Sequence, residues 1–108
     1  MINKIFVYDH VSNRIELNTY EILLVEEFAK LLKPERNKCK EDPKGEHGLR
    51  AFREFTYIWL AIAWESIYSE YDEQERHKEA LNDAHLTEEE FNDPLFREAC
   101  RKYRQIQE

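Results

Sequence analysis

Apolar and polar residues alternate at the start of the chain, and the spacing becomes helical soon afterwards. Ile5 and Val7, then Ile15 and Leu17, flank Asp9-His10-Val11-Ser12-Asn13-Arg14, which predicts two short strands around a turn within residues 1–17. Two strands alone are marginal in water, so this β-hairpin has to lie on helices or pair with another chain. Asn18-Thr19-Tyr20-Glu21 reads as a helix start, with Asn18 accepting from a first-turn amide and Glu21 reaching back as in a capping box. Tyr20, Leu24, Phe28, Leu31 and Leu32 then recur at helical spacing opposite Glu26, Glu27 and Lys30. A helix over 18–32 is expected, with that stripe on the core, ended by Lys33-Pro34.

Residues 33–48 contain two of the three prolines, both glycines and almost no apolar side chain, so the segment reads as a loop. Loops of this length inside a compact domain are uncommon and are functional or mobile when they occur. The segment is therefore expected to be a disordered contact arm or a flexible crossing. A helix follows over 49–66, apolar on every side in its second half, from Phe55 to Trp64; such a helix is surrounded by partners. Seven of the fourteen aromatic residues lie between Phe52 and Tyr71, and Phe28, Phe52, Phe55, Trp59, Ile62 and Trp64 are the expected core.

Ser66-Ile67-Tyr68-Ser69-Glu70-Tyr71 breaks this helix, and Asp72-Glu73-Gln74-Glu75 caps another over 72–84, with Ala80, Leu81 and Ala84 as a thin apolar edge. Thr87-Glu88-Glu89-Glu90 is a further capping box that starts a short turn. Asp93-Pro94 combines a capping residue with proline at the first helical position, so a helix is expected over 94–107 with Leu95, Ala99, Tyr103 and Ile106 as its stripe. The fold class is mainly α: one four-helix domain spanning 1–108, with a short N-terminal β-hairpin and a long loop between helices one and two.

Composition supports a folded helical domain: 42% hydrophobic residues exceed what disordered chains carry, and two glycines are too few for a many-stranded sandwich. A net charge of −7 argues against direct binding to a nucleic-acid backbone. The charge is uneven: residues 65–93 hold eleven acids against Arg76 and Lys78, while 33–50 hold six bases against four acids. Opposite patches of this kind suit contacts between protein chains, although solvated helix faces give the same pattern. The ten uncharged residues from Phe55 to Trp64 are about half of a membrane span, and Asp9 and His10 interrupt any signal-peptide apolar stretch. No membrane partner and no export are expected.

Chemistry is sparse. Cys39 and Cys100 form no C-x-x-C, and His10, His47, His77 and His85 lack a second histidine at ligand spacing, so no metal is expected. Glu73 and His77 are spaced to meet as a surface ion pair. No phosphate-cradling glycine loop or nucleophile motif occurs, so no cofactor, catalytic residue or small-molecule substrate is evident. Contact residues are expected on the hairpin at Phe6 and Tyr8, on the basic loop at Arg36, Lys38 and Lys40, and at Tyr68 and Tyr71, whose rings offer rigid area with a polar tip.

The order Tyr57-Ile58-Trp59, Ser66-Ile67-Tyr68-Ser69, Glu73-x-Glu75-Arg76 with Ala80 and Ala84, Leu86-Thr87-Glu88-Glu89, then Asp93-Pro94 with Ala99 and Tyr103 resembles small virion proteins of large tailed bacteriophages. The resemblance covers residues 52–104. It implies a non-enzymatic structural component, assembled in the host cytoplasm into the particle, in many symmetric copies between capsid, neck or tail proteins, with no catalytic residues. The alternative is an acidic intracellular regulator whose carboxylates at 65–93 stand in for DNA phosphates on a host nucleic-acid-binding protein. In either case Trp59 should anchor the core. Trp59→Ala is expected to cost about 3–5 kcal/mol in chemical denaturation, and a loss under about 1 kcal/mol would make the residue peripheral.

Overall fold

Local capping sets where most helices of this chain begin, and long-range polar contacts decide how they pack. The computed structural model describes residues 6–9, 14–63 and 68–107. β1 (Phe6–Asp9) and β2 (Arg14–Leu17) pair antiparallel, with Phe6 opposite Leu17 and Asp9 opposite Arg14. The turn at 10–13, the terminal residues 1–5 and the side chains of Phe6 and Tyr8 lie outside the described residues. Among the described residues seven helices follow: α1 (Thr19–Leu23), α2 (Glu26–Ala29) running into a 3-10 turn (Lys30–Leu32), α3 (Pro34–Asn37), α4 (Leu49–Ala61), α5 (Glu73–Ala84), α6 (Glu88–Phe91) and α7 (Pro94–Gln107). The domain is mainly helical, with a Cα radius of gyration of 13.3 Å.

The expected caps form. Asn18 Oδ1 accepts from the Glu21 amide, Asp72 Oδ1 from the Glu75 amide, and Asp93 Oδ1 from the Leu95 amide. Thr87 and Glu90 complete a reciprocal capping box, with Thr87 Oγ1 accepting from the Glu90 amide and Glu90 Oε1 from the Thr87 amide. α4 runs through the middle and packs on α5 and α7, while α2 and its 3-10 turn close the other side of α7. Phe28, Phe55, Trp59 and Ile62 are buried, and the Phe28 ring meets Phe55 edge-on at 5.9 Å between centroids. Trp64 lies outside the described residues.

Three expectations are corrected. The helix over 18–32 breaks at Leu24–Val25, where Val25 turns extended (φ −113, ψ 116), and the break resets the helical phase. α1 therefore buries Ile22 and leaves Tyr20 and Leu24 in solvent, although the unbroken spacing put both on the core stripe. Phe52 is not a core residue: it is 45% exposed, because the first turns of α4 turn Ala51, Glu54 and Phe55 inward. α7 likewise buries Phe96, Ala99 and Cys100 rather than Leu95.

The segment 33–48 is ordered, against expectation, because polar side chains hold it. Asn37 is buried, and its Nδ2 donates to the carbonyls of Leu31 (2.9 Å) and Lys33 (2.8 Å). Its Oδ1 accepts from the Ala51 amide at 2.8 Å, which caps α4 from fourteen residues upstream, where Gly48 has no side chain to do so. Buried Asp42 exchanges backbone bonds with Cys39 and accepts from the His47 amide. Gly45, at φ +70, passes so close to Pro34 that a Cβ would sit 1.9 Å from the Pro34 carbonyl oxygen. Asn37→Ala should lower stability by about 1–3 kcal/mol, since it leaves the Ala51 amide without its acceptor, while the Leu31 and Lys33 carbonyls keep their bonds from Arg36. Hydrogen exchange checks the same point: the Ala51 amide should be protected in the wild type and lose that protection in the variant, and fast exchange in the wild type would refute the cap.

Candidate functional site

Burial selects which charges are available at the surface. Glu54, on α4, is 0% exposed and accepts a fork from Arg36, Nη1 to Oε1 at 2.7 Å and Nη2 to Oε2 at 2.8 Å. Arg36 Nη1 also donates to the Leu31 carbonyl, and its Nη2 reaches Asp93 Oδ2 at 2.9 Å. Arg50, one turn before Glu54, donates to the same Asp93 oxygen at 2.8 Å and keeps its Nε 3.6 Å from Glu54 Oε2, beyond hydrogen-bond distance. Burial alone would lower the Arg36 pKa, but Glu54 and Asp93 outweigh it and raise it. Arg53 forks onto Glu90 with both bonds at 3.0 Å and also donates to the His85 carbonyl.

These contacts relocate the sequence-derived contact residues. Arg36 is an ion-pair partner of Glu54 and Asp93 with its side chain only 9% exposed, so it is a core residue rather than the exposed contact residue expected from the sequence. Lys38 is exposed and pairs with Glu35 at 3.0 Å, and Lys40 is exposed. Tyr68 and Tyr71 stack at 5.0 Å between centroids, and the Tyr68 hydroxyl bonds Asp83. That bond, with some burial, pushes the Tyr68 pKa up to about 12. Tyr71 stays largely exposed at the rim of a cleft.

The cleft is about 530 Å³ and lies where α4, α5, α6 and the end of α7 meet. α4 contributes Tyr57, whose ring packs against Phe91 (5.3 Å) and Phe96 (5.7 Å). Its hydroxyl lies 2.6 Å from His77 Nδ1, and His77 Nε2 lies 3.3 Å from Glu88 Oε1, so a chain of three side chains crosses from α4 to α6. His77 thus bonds Tyr57 and Glu88 rather than the Glu73 that spacing offered it. Burial pushes the Tyr57 pKa up, so the phenol stays protonated. A tyrosine nucleophile needs the opposite shift, and this chain therefore orients the three groups without activating Tyr57.

Basic groups complete the lining. Arg76 Nε donates to the Leu60 carbonyl at 3.0 Å and its Nη2 to the Ala63 carbonyl at 2.6 Å, capping the end of α4. Gln107 donates to the Ile62 carbonyl at 2.9 Å, and Arg104 stands beside it. Glu73 is the carboxylate of the lining. Burial pushes the Cys100 thiol up to about 12, which leaves it protonated and unreactive. Among the described residues there is no group of three or more His, Cys, Asp or Glu that could hold a metal, and no helix is long and apolar enough to cross a membrane.

Sequence spacing missed Glu54, Asn37 and the Tyr57–His77 pair. Glu54 carried a signal, the one acid of its helix with Arg50 one turn before it; the Tyr57–His77 pair, twenty residues apart, carried none. Comparisons of the chain with protein-family models, with curated proteins and with solved structures return no match.

The charged network makes stability depend on acid. For Asp93, burial raises the pKa, but the Leu95 amide and the Arg36 and Arg50 guanidiniums lower it further, and the net shift is downward. For Glu90, burial is likewise outweighed by Arg53 and the Thr87 amide, and its pKa also falls. A carboxyl depressed in the folded state contributes stability above its unfolded pKa and loses it as pH falls through the folded one. Thermal unfolding should therefore be insensitive to pH down to about 5 and weaken progressively below about pH 4. Asp93→Asn should flatten part of that fall, and an identical pH profile in the variant would refute the assignment.

Proposed function

We propose that this chain is a non-enzymatic interaction component that docks onto neighbouring protein chains through α1. The observation that carries this reading is the exposure of three large apolar side chains on that short helix and its C-cap: Tyr20 at 72%, Leu23 at 57% and the C-cap residue Leu24 at 62%. A contiguous apolar ridge in water favours a covering surface, and full burial of each such side chain contributes about 1.5–3 kcal/mol to association. β2 ends one residue before α1 and, among the described residues, belongs to a sheet of two strands, so a strand edge with no described partner adjoins the ridge and supports the same reading.

The resemblance of residues 52–104 to small virion proteins of large tailed bacteriophages supplies an assembly in which such a ridge is covered, between capsid, neck or tail neighbours. The particle is then where the protein resides. The alternative, an acidic mimic of DNA, has less support. Asp83, Glu88, Glu90 and Asp93 are each bonded to a side chain of the same molecule, so the acids of this region do not form one outward stripe.

Leu23→Glu with Leu24→Glu separates folding from docking. Both residues are solvent-exposed, so circular dichroism and the unfolding midpoint should change little, by about 0.5 kcal/mol or less per site. Mass spectrometry of purified particles should find the wild-type chain and miss the double variant. Recovery of the wild-type protein solely from the soluble lysate would sink the reading.

A further inference from the structure

Two guanidinium groups line the cleft without a carboxylate partner among the described residues. Arg36, Arg50, Arg53 and Arg101 each have a carboxylate oxygen at 3.0 Å or closer. Arg97 sits 4.8 Å from the centre of the Phe91 ring and donates to Asn92. Among the described residues, no Asp or Glu oxygen comes within 4.0 Å of Arg76 or Arg104. Acids outnumber bases by 23 to 16 in this chain, so two cations lacking an acid partner on the wall of one cleft call for an explanation.

Arg76 is also pre-organised. Its bonds to the Leu60 and Ala63 carbonyls fix the plane of the guanidinium and use two of its five N–H donors. Burial pushes its pKa down, as expected for a cation that has lost water without gaining a full counter-charge. The carbonyl end of α4 compensates in part, and an anion in the cleft would compensate further. The remaining lining is amphipathic: the aromatic rings of Phe91 and Tyr71, the Tyr57–His77 pair and the Gln107 amide. A cleft of 530 Å³ is in the size range of small-molecule sites. The Glu73 carboxylate on the lining disfavours a polyanion, so a nucleic-acid backbone is a poor occupant.

The geometry points to a binding site for a small aromatic anion, its carboxylate or phosphate held between Arg76 and Arg104 and its ring against Phe91 and Tyr71. This site is separate from the α1 ridge, so the full chain can be tested for it whether or not that ridge docks on a partner. The probes are phenylacetate and phenyl phosphate, with benzyl alcohol as the uncharged analogue, followed by NMR on the Gln107 side-chain amide and the Tyr71 amide.

At least one anion should saturate these shifts below about 10 mM. Added salt should weaken that binding, and benzyl alcohol should bind at least about tenfold more weakly. The tighter of the two anions identifies the head group as carboxylate or phosphate. Arg76→Gln also uncaps α4, so the exposed Arg104 is the deciding position: Arg104→Gln should keep the fold and weaken binding about tenfold. Failure of both anions to saturate, equal binding of benzyl alcohol, or unchanged affinity in Arg104→Gln would each overturn the site.

Discussion

Everything in this fold is arranged around a buried carboxylate. Glu54 sits in the middle of the central helix with no solvent contact, and a carboxylate in that position is tolerable only when its charge and lone pairs are met. Arg36 meets them with two short bonds, and Asp93 balances the second face of the same guanidinium. The consequence is architectural. A residue in α3, one in α4 and the cap of α7 must converge on one point, so three segments far apart in sequence are locked at fixed distances. Removing one partner of such a buried pair costs about 3–5 kcal/mol, whereas exchanging the whole cluster for apolar groups is often neutral. Its contribution here is to specify one arrangement of the helices.

At the opposite end of α4 the same problem is solved differently. Three carbonyls near its C-terminus accept from Arg76 and Gln107, side chains of α5 and α7, so the central helix is tied at each end by residues of its neighbours. These particular charges are thereby used inside the molecule. What remains outward is a short list of unusual features: the apolar ridge of α1, and a cleft where the end-tying arginine still has donors to give. The two are chemically unlike, one suited to a protein surface and the other to a compact anion.

What could be read in the chain depended on distance along it. Asn18, Asp72, Thr87 and Asp93 act within three residues of themselves, and each accepts a first-turn amide as its motif implies, although the reciprocal half of a capping box forms at Thr87–Glu90 and not at Asn18–Glu21 among the described bonds. The burial of Phe28, Phe55, Trp59 and Ile62 followed from apolar density and needed no knowledge of partners. The phase of a helix is less secure: one extended residue, Val25, exposed Tyr20 and Leu24, and a buried glutamate turned Phe52 outward. Least legible was anything held by a remote group. A loop rich in Lys, Pro and Gly looks mobile until Asn37 and Asp42 are seen to be its fasteners, and Arg36 looks like a surface cation until Glu54, eighteen residues on, claims it. The cleft required four helices at once, so no local pattern announced it.

The cap on α4 bears on how this chain folds in time. The amide of Ala51 finds its acceptor in Asn37, and Asn37 is held in turn by the carbonyls of Leu31 and Lys33. The central helix thus has a frayed start until the segment upstream has docked, and that segment lacks its bonds to Ala51 and Glu54 until the helix exists. Helix nucleation is costly on its own, so neither half gains much by forming first. The two should appear together in a single concerted step, and a fragment that begins at Gly48 would inherit the aromatic core without the residue that lets its helix begin cleanly.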